Sequence, residues 1–365
     1  AAKEIGMDQA EFRKKNFIKK FPHQQCLVHN IDSGNYDAHL DKALDLSDYK
    51  NFENRRSQSA KKGKLRGIGF STYLEACGVA PSAVVMSIGA GVSKVSKGDW
   101  VILGWIKGIG KNAEGAKYKL GKEIINSGAV TTFSTYTIVS ENRLVSLPPG
   151  IPKDVAVLFG CALPTGAGIL LNEIKPKKGS TIAFIGLGGI GLSSLMATKI
   201  YNCKNVIAID VSQKKLDLAK NFGATHTINS SNENTLDRIN QITNGIGVDY
   251  SVEAAGSTET IELAFELVKK NGGRCVFASH PEAGKKISLD PFQLILGKNI
   301  KGSWGGKSKP DRDTPILADL YNKGLMPLGA LLTKKYTLDE INIALDDLNN
   351  SNVFRPLIVI DETLK

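Results

Sequence analysis

Hydrophobic and polar positions change their period several times along this chain of 365 residues. From residue 181 onward, short apolar runs alternate with longer segments whose apolar positions recur every three or four residues. The runs 181–185, 206–209, 250–255 and 274–279 predict strands, and their near-continuous apolar character predicts burial on both faces. The segments 192–201, 212–222, 236–243 and 258–270 predict helices, with Gly223 and Asn271-Gly272-Gly273 as stop signals. Strands alternating with helices imply a parallel sheet. Segments 292–296 and 299–303 read as the last elements of that domain, 314–323 and 338–348 as further helices, and 357–360 as a strand.

Upstream the texture differs. Residues 84–103 (VVMSIGAGVSKVSKGDWVIL) alternate apolar with polar around turn signals at Gly89, Gly91 and Lys97-Gly98-Asp99, which predicts antiparallel β structure. Residues 104–126 are polar and glycine-rich and read as a loop or lobe. Residues 131–139 (TTFSTYTIV) predict a strand, and 141–147 a shorter one before Pro148-Pro149. A helix with Asp154 near its first turn is interrupted at Gly160-Cys161, and a second opens at Pro164. The first 63 residues are polar and helical (1–18 and 38–58), and 65–76 (LRGIGFSTYLEA) predicts a strand.

Composition narrows the classes. Hydrophobic residues make up 42%, enough for a sizeable core, and no run of eighteen apolar residues predicts a membrane span. The first residues read as an amphipathic helix and not as a signal peptide, and the missing initial Met hints at a fragment. Net charge is +11, yet the lysines are scattered along the chain without a long basic run or interleaved aromatics. That pattern predicts a solvated surface, with neither nucleic acid nor membrane as a partner. The five cysteines (Cys26, Cys77, Cys161, Cys203, Cys275) are widely spaced and form no C-x-x-C pair. They imply a reducing, cytoplasmic setting with no disulfide framework. Cys203 and Cys275 lie in apolar contexts and are expected in the core. His23, His29 and His39 beside Cys26 fit no standard zinc spacing and read as surface residues. His226 reads as structural. His280, at a strand end, reads equally well as a cofactor-edge residue or a solvated one.

Residues 181–210 carry the sharpest chemistry. Gly186, Gly188 and Gly191 form G-x-G-x-x-G between a strand and a helix, and the next strand ends in Asp210. In such a unit the first glycine permits a tight turn. The second lets backbone approach a pyrophosphate, and the third lets the helix pack closely. Free N–H groups at the helix start favour the phosphates. Asp210 has the spacing to accept both adenosine-ribose hydroxyls, and its charge would repel a 2′-phosphate, so NAD is expected over NADP.

Two resemblances cover the chain. AAKEIGMDQAEFRKKNFI, DSGNYDAHLDKALDLSDY and KLRGIGFSTYLEACGVAPS, within residues 1–82, resemble a short internal piece of the molybdopterin-binding large subunit of the xanthine dehydrogenase and aerobic carbon monoxide dehydrogenase family. The glycine-rich cofactor loops and catalytic Glu of that family are absent, so the resemblance implies ancestry without molybdenum chemistry. VSKGDWVI, FSTYTIV, GCALPTGAG, GLGGIGL, VIAIDVSQKKLDLAKNFGATHTIN, GVDYSVEAAG and FRPLIVID, in this order over residues 84–365, resemble the zinc-type alcohol dehydrogenases of the medium-chain dehydrogenase/reductase superfamily.

This second resemblance implies an α/β architecture. A Rossmann doubly wound sheet (164–305) would accompany a partial β-rich GroES-like domain (84–163 and 306–365) and an α+β fragment (1–83). It implies NAD-dependent hydride transfer from a small alcohol, giving an aldehyde or ketone, in a homo-oligomer, dimer or tetramer. Residue by residue, Cys161 matches a catalytic-zinc ligand and Thr165 the residue against the nicotinamide. Gly186, Gly188, Gly189, Ile190 and Gly191 match the pyrophosphate loop. Asp210 and Lys215 match ribose contacts, and Arg355 a basic residue near the phosphates. The zinc set is incomplete: in register, Val79 stands where the family has His and Ala80 where it has Glu, and residues 104–126 hold none of the four cysteines of the structural lobe. Activity is therefore expected to be impaired. The alternatives are an inactive dinucleotide-binding module and, less favoured, a molybdenum hydroxylase subunit.

Overall fold

A computed structural model describes residues 6–15, 23–24, 30–31, 40–41, 44–45, 48–62, 82–115, 117–120, 123–126, 129–281, 284–350 and 352–360. The expected strand at 65–76 lies outside the described residues, as do Cys26, His29, His39, Cys77, Val79, Ala80 and the side chain of His23. The chain divides into two compact units, one of residues 1–77 and 336–344, the other of 78–335 and 345–365.

In the first unit the expected helix 1–18 is described as Gln9–Lys15. Asp8 caps it by accepting the Ala10 N–H at 2.8 Å and also the Tyr49 hydroxyl at 2.7 Å. The expected helix 38–58 ends as Phe52–Lys61.

The second unit is built on six parallel strands: β1 (Thr181–Ile185), β2 (Asn205–Asp210), β3 (His226–Asn229), β4 (Tyr250–Glu253), β5 (Arg274–Phe277) and β6 (Asn299–Gly302). Their order is β3-β2-β1-β4-β5-β6. The chain winds outward from β1 to β3, then crosses back beside β1 and winds outward the other way. The crevice between β1 and β4 is therefore the topological switch point. Thr181 pairs with Asn205, Ile182 with Tyr250, and Arg274 with both Tyr250 and Asn299, so these five strands begin at one level.

Alternation persists inside the buried strands. Ile182 and Phe184 pack with Leu192, Leu195 and Met196, while Ala183 and Ile185 belong to a second cluster with Ile207, Ile209 and Phe265. Each face of the sheet thus has its own apolar layer, as helices on both faces require. The helices are α1 (Ala162–Gly168), α2 (Gly189–Ala197), α3 (Gln213–Phe222), α4 (Thr235–Thr243), α5 (Thr258–Leu267) and α6 (Pro310–Asn322). Gly223 ends α3 in the left-handed region, as expected. Asn234 and Ser257 cap α4 and α5 with side-chain oxygens.

The β-rich part is smaller than its sequence texture. Ser82–Val84, Trp100–Leu103 and Leu144–Ser146 form an antiparallel sheet over Val85, Val95, Val101, Leu103 and Leu144. The expected strand at 131–139 is a run of bends. The segment belongs to no sheet among the described residues, and Tyr136 and Ile138 are 73% and 69% exposed. Propensity without a neighbouring strand does not make a sheet. Conversely, the expected loop 104–126 contains a hairpin, Lys117–Leu120 against Glu123–Asn126. The Glu141 carboxylate ties this part together. It accepts N–H bonds from Lys111, Ser93 and Lys94 at 2.7 Å each, which hold its pKa down at about 2.

Candidate functional site

The carboxyl edge of the sheet holds the glycine turn. Gly186 leaves β1 with φ +84°, and a Cβ there would lie 2.5 Å from the Ala255 nitrogen. Only glycine combines that backbone with that contact. Gly191 presses on the turn itself: a Cβ would lie 1.9 Å from the Gly186 oxygen. Its role is thus to seat α2 on the turn, a more local duty than the packing on the sheet expected for it. Gly188 faces open space, and a Cβ at Gly189 would collide with the Arg355 guanidinium. Ile190 lies half-buried against the core. Its carbonyl passes so close to Gly166 that α1 and α2 cross almost backbone to backbone, and Ser194 donates to the Gly166 oxygen at 2.6 Å.

Asp210 ends β2 and is only 8% exposed. Its Oδ2 accepts the Leu187 N–H at 2.7 Å and its Oδ1 the Ser212 N–H at 2.9 Å. The acid at the end of the second strand therefore pins the glycine turn after the first. Each carboxylate oxygen retains a further lone pair for a hydroxyl donor. Lys215 Nζ stands 3.9 Å from Oδ2. A cleft of about 180 Å³ is lined by Leu187, Gly188, Gly189, Lys215 and Arg355, with Leu331, Leu348, Val353 and Phe354 as its apolar wall. Backbone N–H groups, a helix start, a carboxylate and two cations thus meet at one crevice, a donor set that fits a dinucleotide.

Cys161 caps α1 and is partly exposed; Thr165, one turn on, donates its N–H to the Cys161 oxygen at 3.1 Å and is buried. Gly305 and Gly306 lie at φ +59° and +62°; a Cβ on Gly305 would crowd Ile106 and Trp105, and one on Gly306 would meet the Thr165 oxygen of α1 at 2.3 Å. Buried Asp313 holds that loop, accepting from Ser308 Oγ, the Lys309 N–H, Arg312 Nε and Asn172 Nδ2. Burial alone would raise its pKa; these four donors outweigh burial and hold it below the usual value. Trp304, at the start of the loop, meets Trp105 edge to face at 5.1 Å, and the His280 ring stands 6.2 Å from Trp304.

Among the described residues no three His, Cys, Asp or Glu side chains gather to hold a metal ion. They supply Cys161 alone of the zinc-ligand positions that the resemblance implies, and one thiolate does not make a zinc site. Cys275 is buried, which pushes its thiol up to about 12, and Cys203 is half-buried and also raised by burial. His226 lies in β3 with Nδ1 2.9 Å from Thr225 Oγ1.

One residue of the crevice escaped the sequence reading. Glu253, at the end of β4, is fully buried. Its Oε1 accepts the N–H groups of Ala255 and Gly256 at 2.8 Å and the Thr260 hydroxyl at 2.9 Å; its Oε2 accepts the Ser279 hydroxyl. It fastens the turn that abuts Gly186 to the end of β5. The available signal was a carboxylate inside an apolar strand, just before Ala-Ala-Gly.

Against known proteins, the zinc-binding dehydrogenase profile matches residues 189–323. The chain is 32% identical to alcohol dehydrogenase class-3 of Pisum sativum over 309 residues, covering 77% of this chain and 82% of that one. It is 32% identical to S-(hydroxymethyl)glutathione dehydrogenase of Saccharomyces cerevisiae over 247 residues, and spans 64% of that relative's length. Among solved structures it is similar to benzyl alcohol dehydrogenase from Acinetobacter calcoaceticus, with a TM-score of 0.68, 30% identity and coverage of 77% and 82% of the two chains.

Proposed function

This chain belongs to the zinc-type alcohol dehydrogenases of the medium-chain dehydrogenase/reductase superfamily, and on that premise we propose that it binds NAD along the carboxyl edge of its parallel sheet. The observation that carries this reading is the Asp210 carboxylate bonded to the glycine turn beside an open Gly188. In this reading the turn and the start of α2 receive the pyrophosphate, Arg355 flanks it, and Asp210 with Lys215 receives the adenosine ribose. Thr165 lies against the nicotinamide, which serves as hydride acceptor when the cofactor is bound. The parent reaction removes a hydride and a proton from a small alcohol and leaves an aldehyde or ketone.

In this chain the metal-dependent step is impaired. Cys161 is the one matching zinc ligand, and Val79 occupies the position of the family's His. A second reading, a dinucleotide-binding module without dehydrogenase activity, rests on the same deficit. One experiment separates them: purify the chain with added zinc, measure bound metal per chain, and follow alcohol-dependent NADH formation. Slow turnover supports an impaired dehydrogenase and none the binding module, while one tightly held zinc with robust turnover overturns both.

The assignment of 164–305 to NAD and of 84–163 with 306–365 to a partial catalytic domain belongs to the same proposal. So does descent of residues 1–83 from a molybdenum hydroxylase subunit, for which the sequence strings and the division of the chain after Cys77 give support. A cytoplasmic setting fits the absence, among the described residues, of a single helix long and apolar enough to cross a membrane. Assembly into a homo-oligomer is supported by the open edge of β6 and exposed Phe292 and Ile295 before it.

A further inference from the structure

The opposite edge of the same sheet has a character of its own. Because all six strands are parallel, every loop entering a strand lies on one rim. The loops entering β1, β2, β4, β5 and β6 are also tied to one another by backbone. Gly179 N donates to Asn202 O at 3.0 Å, Lys204 N to Ser180 O at 2.8 Å, Lys269 N to Val248 O at 2.8 Å, and Asn271 N to Leu296 O at 2.9 Å. The strands begin at one level, so the rim is a continuous edge about 20 Å long, four strand spacings.

This rim gathers lysines that are far apart in sequence. Lys175, Lys177 and Lys178 precede β1, Lys204 precedes β2 and Lys270 precedes β5, and all five are exposed. None of the five makes an ion pair within the described residues. Nearby Asp249 is already engaged by Lys269 Nζ at 2.5 Å and by the Thr181 N–H at 2.8 Å. Exposed Glu266, at the end of α5, acts on Lys298, as Lys270 does with the opposite sign. At the centre, the loop Asn244-Gly245-Ile246-Gly247 presents Ile246 with 67% of its surface in water.

We propose that this rim docks the protein on an anionic lipid bilayer, with the five lysines against the headgroups and Ile246 entering the headgroup boundary. The cations of the rim are lysines, which act as point charges and suit a field of headgroups. Two groups that could read nucleic acid are turned away from it: the Arg274 guanidinium onto the Ile174 carbonyl at 2.5 Å, and the Tyr201 hydroxyl inward to the Leu170 oxygen at 3.1 Å. The cofactor crevice lies at the other edge and stays open to solvent in the docked state. This inference departs from the expectation of no membrane partner, which rested on lysines scattered in sequence. It does not depend on NAD binding.

Vesicle co-sedimentation of the full chain tests it. The arms are phosphatidylcholine vesicles, vesicles with one-third phosphatidylserine, and a fluorescent duplex RNA of matched charge. The account predicts binding to the phosphatidylserine vesicles at about 0.1 M salt, its loss at about 0.5 M, and little binding to phosphatidylcholine. Each lysine should count for roughly fivefold, so the triple variant Lys177→Gln, Lys178→Gln, Lys270→Gln should bind on the order of a hundredfold more weakly. Ile246→Asn, which removes the apolar contact without adding charge, should weaken binding to vesicles without changing the salt dependence. NAD affinity and the unfolding midpoint of each variant establish that it is folded. Equal binding to both vesicle types, a triple variant that binds like the parent chain, or binding to RNA but not to vesicles would each overturn the proposal.

Discussion

The two edges of the six-stranded sheet are made from the same strands and differ in almost everything else. The carboxyl edge is built from glycines and buried carboxylates, each tied to backbone: Asp210 to Leu187 and Ser212, Glu253 to Ala255 and Gly256. The amino edge is built from exposed lysines on loops that merely enter the strands. One edge is preorganised, so a ligand there meets fixed donors at small entropic cost. The other presents exposed lysines that make no ion pair among the described residues. The difference predicts that substitutions at the carboxyl edge act on stability and NAD affinity together, and that those at the amino edge act on neither.

The largest effect should come from Gly191→Val. Its side chain has no room beside the Gly186 oxygen, so α2 must shift away from the turn. A loss of about 3 kcal/mol in stability and no measurable NAD binding are expected, read by denaturant unfolding and by titration. Next is Glu253→Ala, which leaves two N–H groups and two hydroxyls without their acceptor. It should cost about 2–3 kcal/mol in stability and weaken NAD binding, while Glu253→Gln retains part of both. Unchanged NAD affinity in a destabilised Glu253→Ala protein would show that the turn does not position the cofactor.

Asp210→Ala should be milder in stability. Loss of NAD affinity by roughly 10- to 100-fold is expected, with NADP affected far less because the repulsion is relieved. A variant that loses both dinucleotides equally would assign Asp210 to the turn alone. Away from both edges, Glu141 offers a pH control. Its carboxyl titrates at about 2 in the folded protein against an ordinary 4.5. It therefore contributes stability that is complete above 4.5 and is lost as pH falls from there through about 2. Glu141→Gln should flatten that acid limb and leave NAD affinity unchanged, as read by unfolding curves across the acid range. The smallest effect belongs to the lysine triple variant, for which NAD affinity should stay within about twofold, screened by distance and salt.

Legibility followed the range of the interactions. The glycine turn, its strands and Asp210 were readable because every constraint falls within thirty residues. Glu253 is not legible in this way, since the hydroxyls that donate to it, Thr260 and Ser279, have no fixed spacing in a motif. The segment 131–139 has the composition of a strand but joins no sheet among the described residues, and composition does not encode the neighbouring strand. The lysine rim was invisible for the opposite reason: it exists only once parallel topology brings residues 175 and 270 to one edge. The Gly305-Gly306 loop, pressed on Thr165 from far along the chain, belongs with it.

Calorimetric titration of the full chain with NAD and with NADP tests the central claim most directly. The account predicts one NAD per chain, with NADP weaker by roughly tenfold or more, since a 2′-phosphate would face the Asp210 carboxylate. Absence of NAD binding by the folded protein, or tighter binding of NADP, would contradict it.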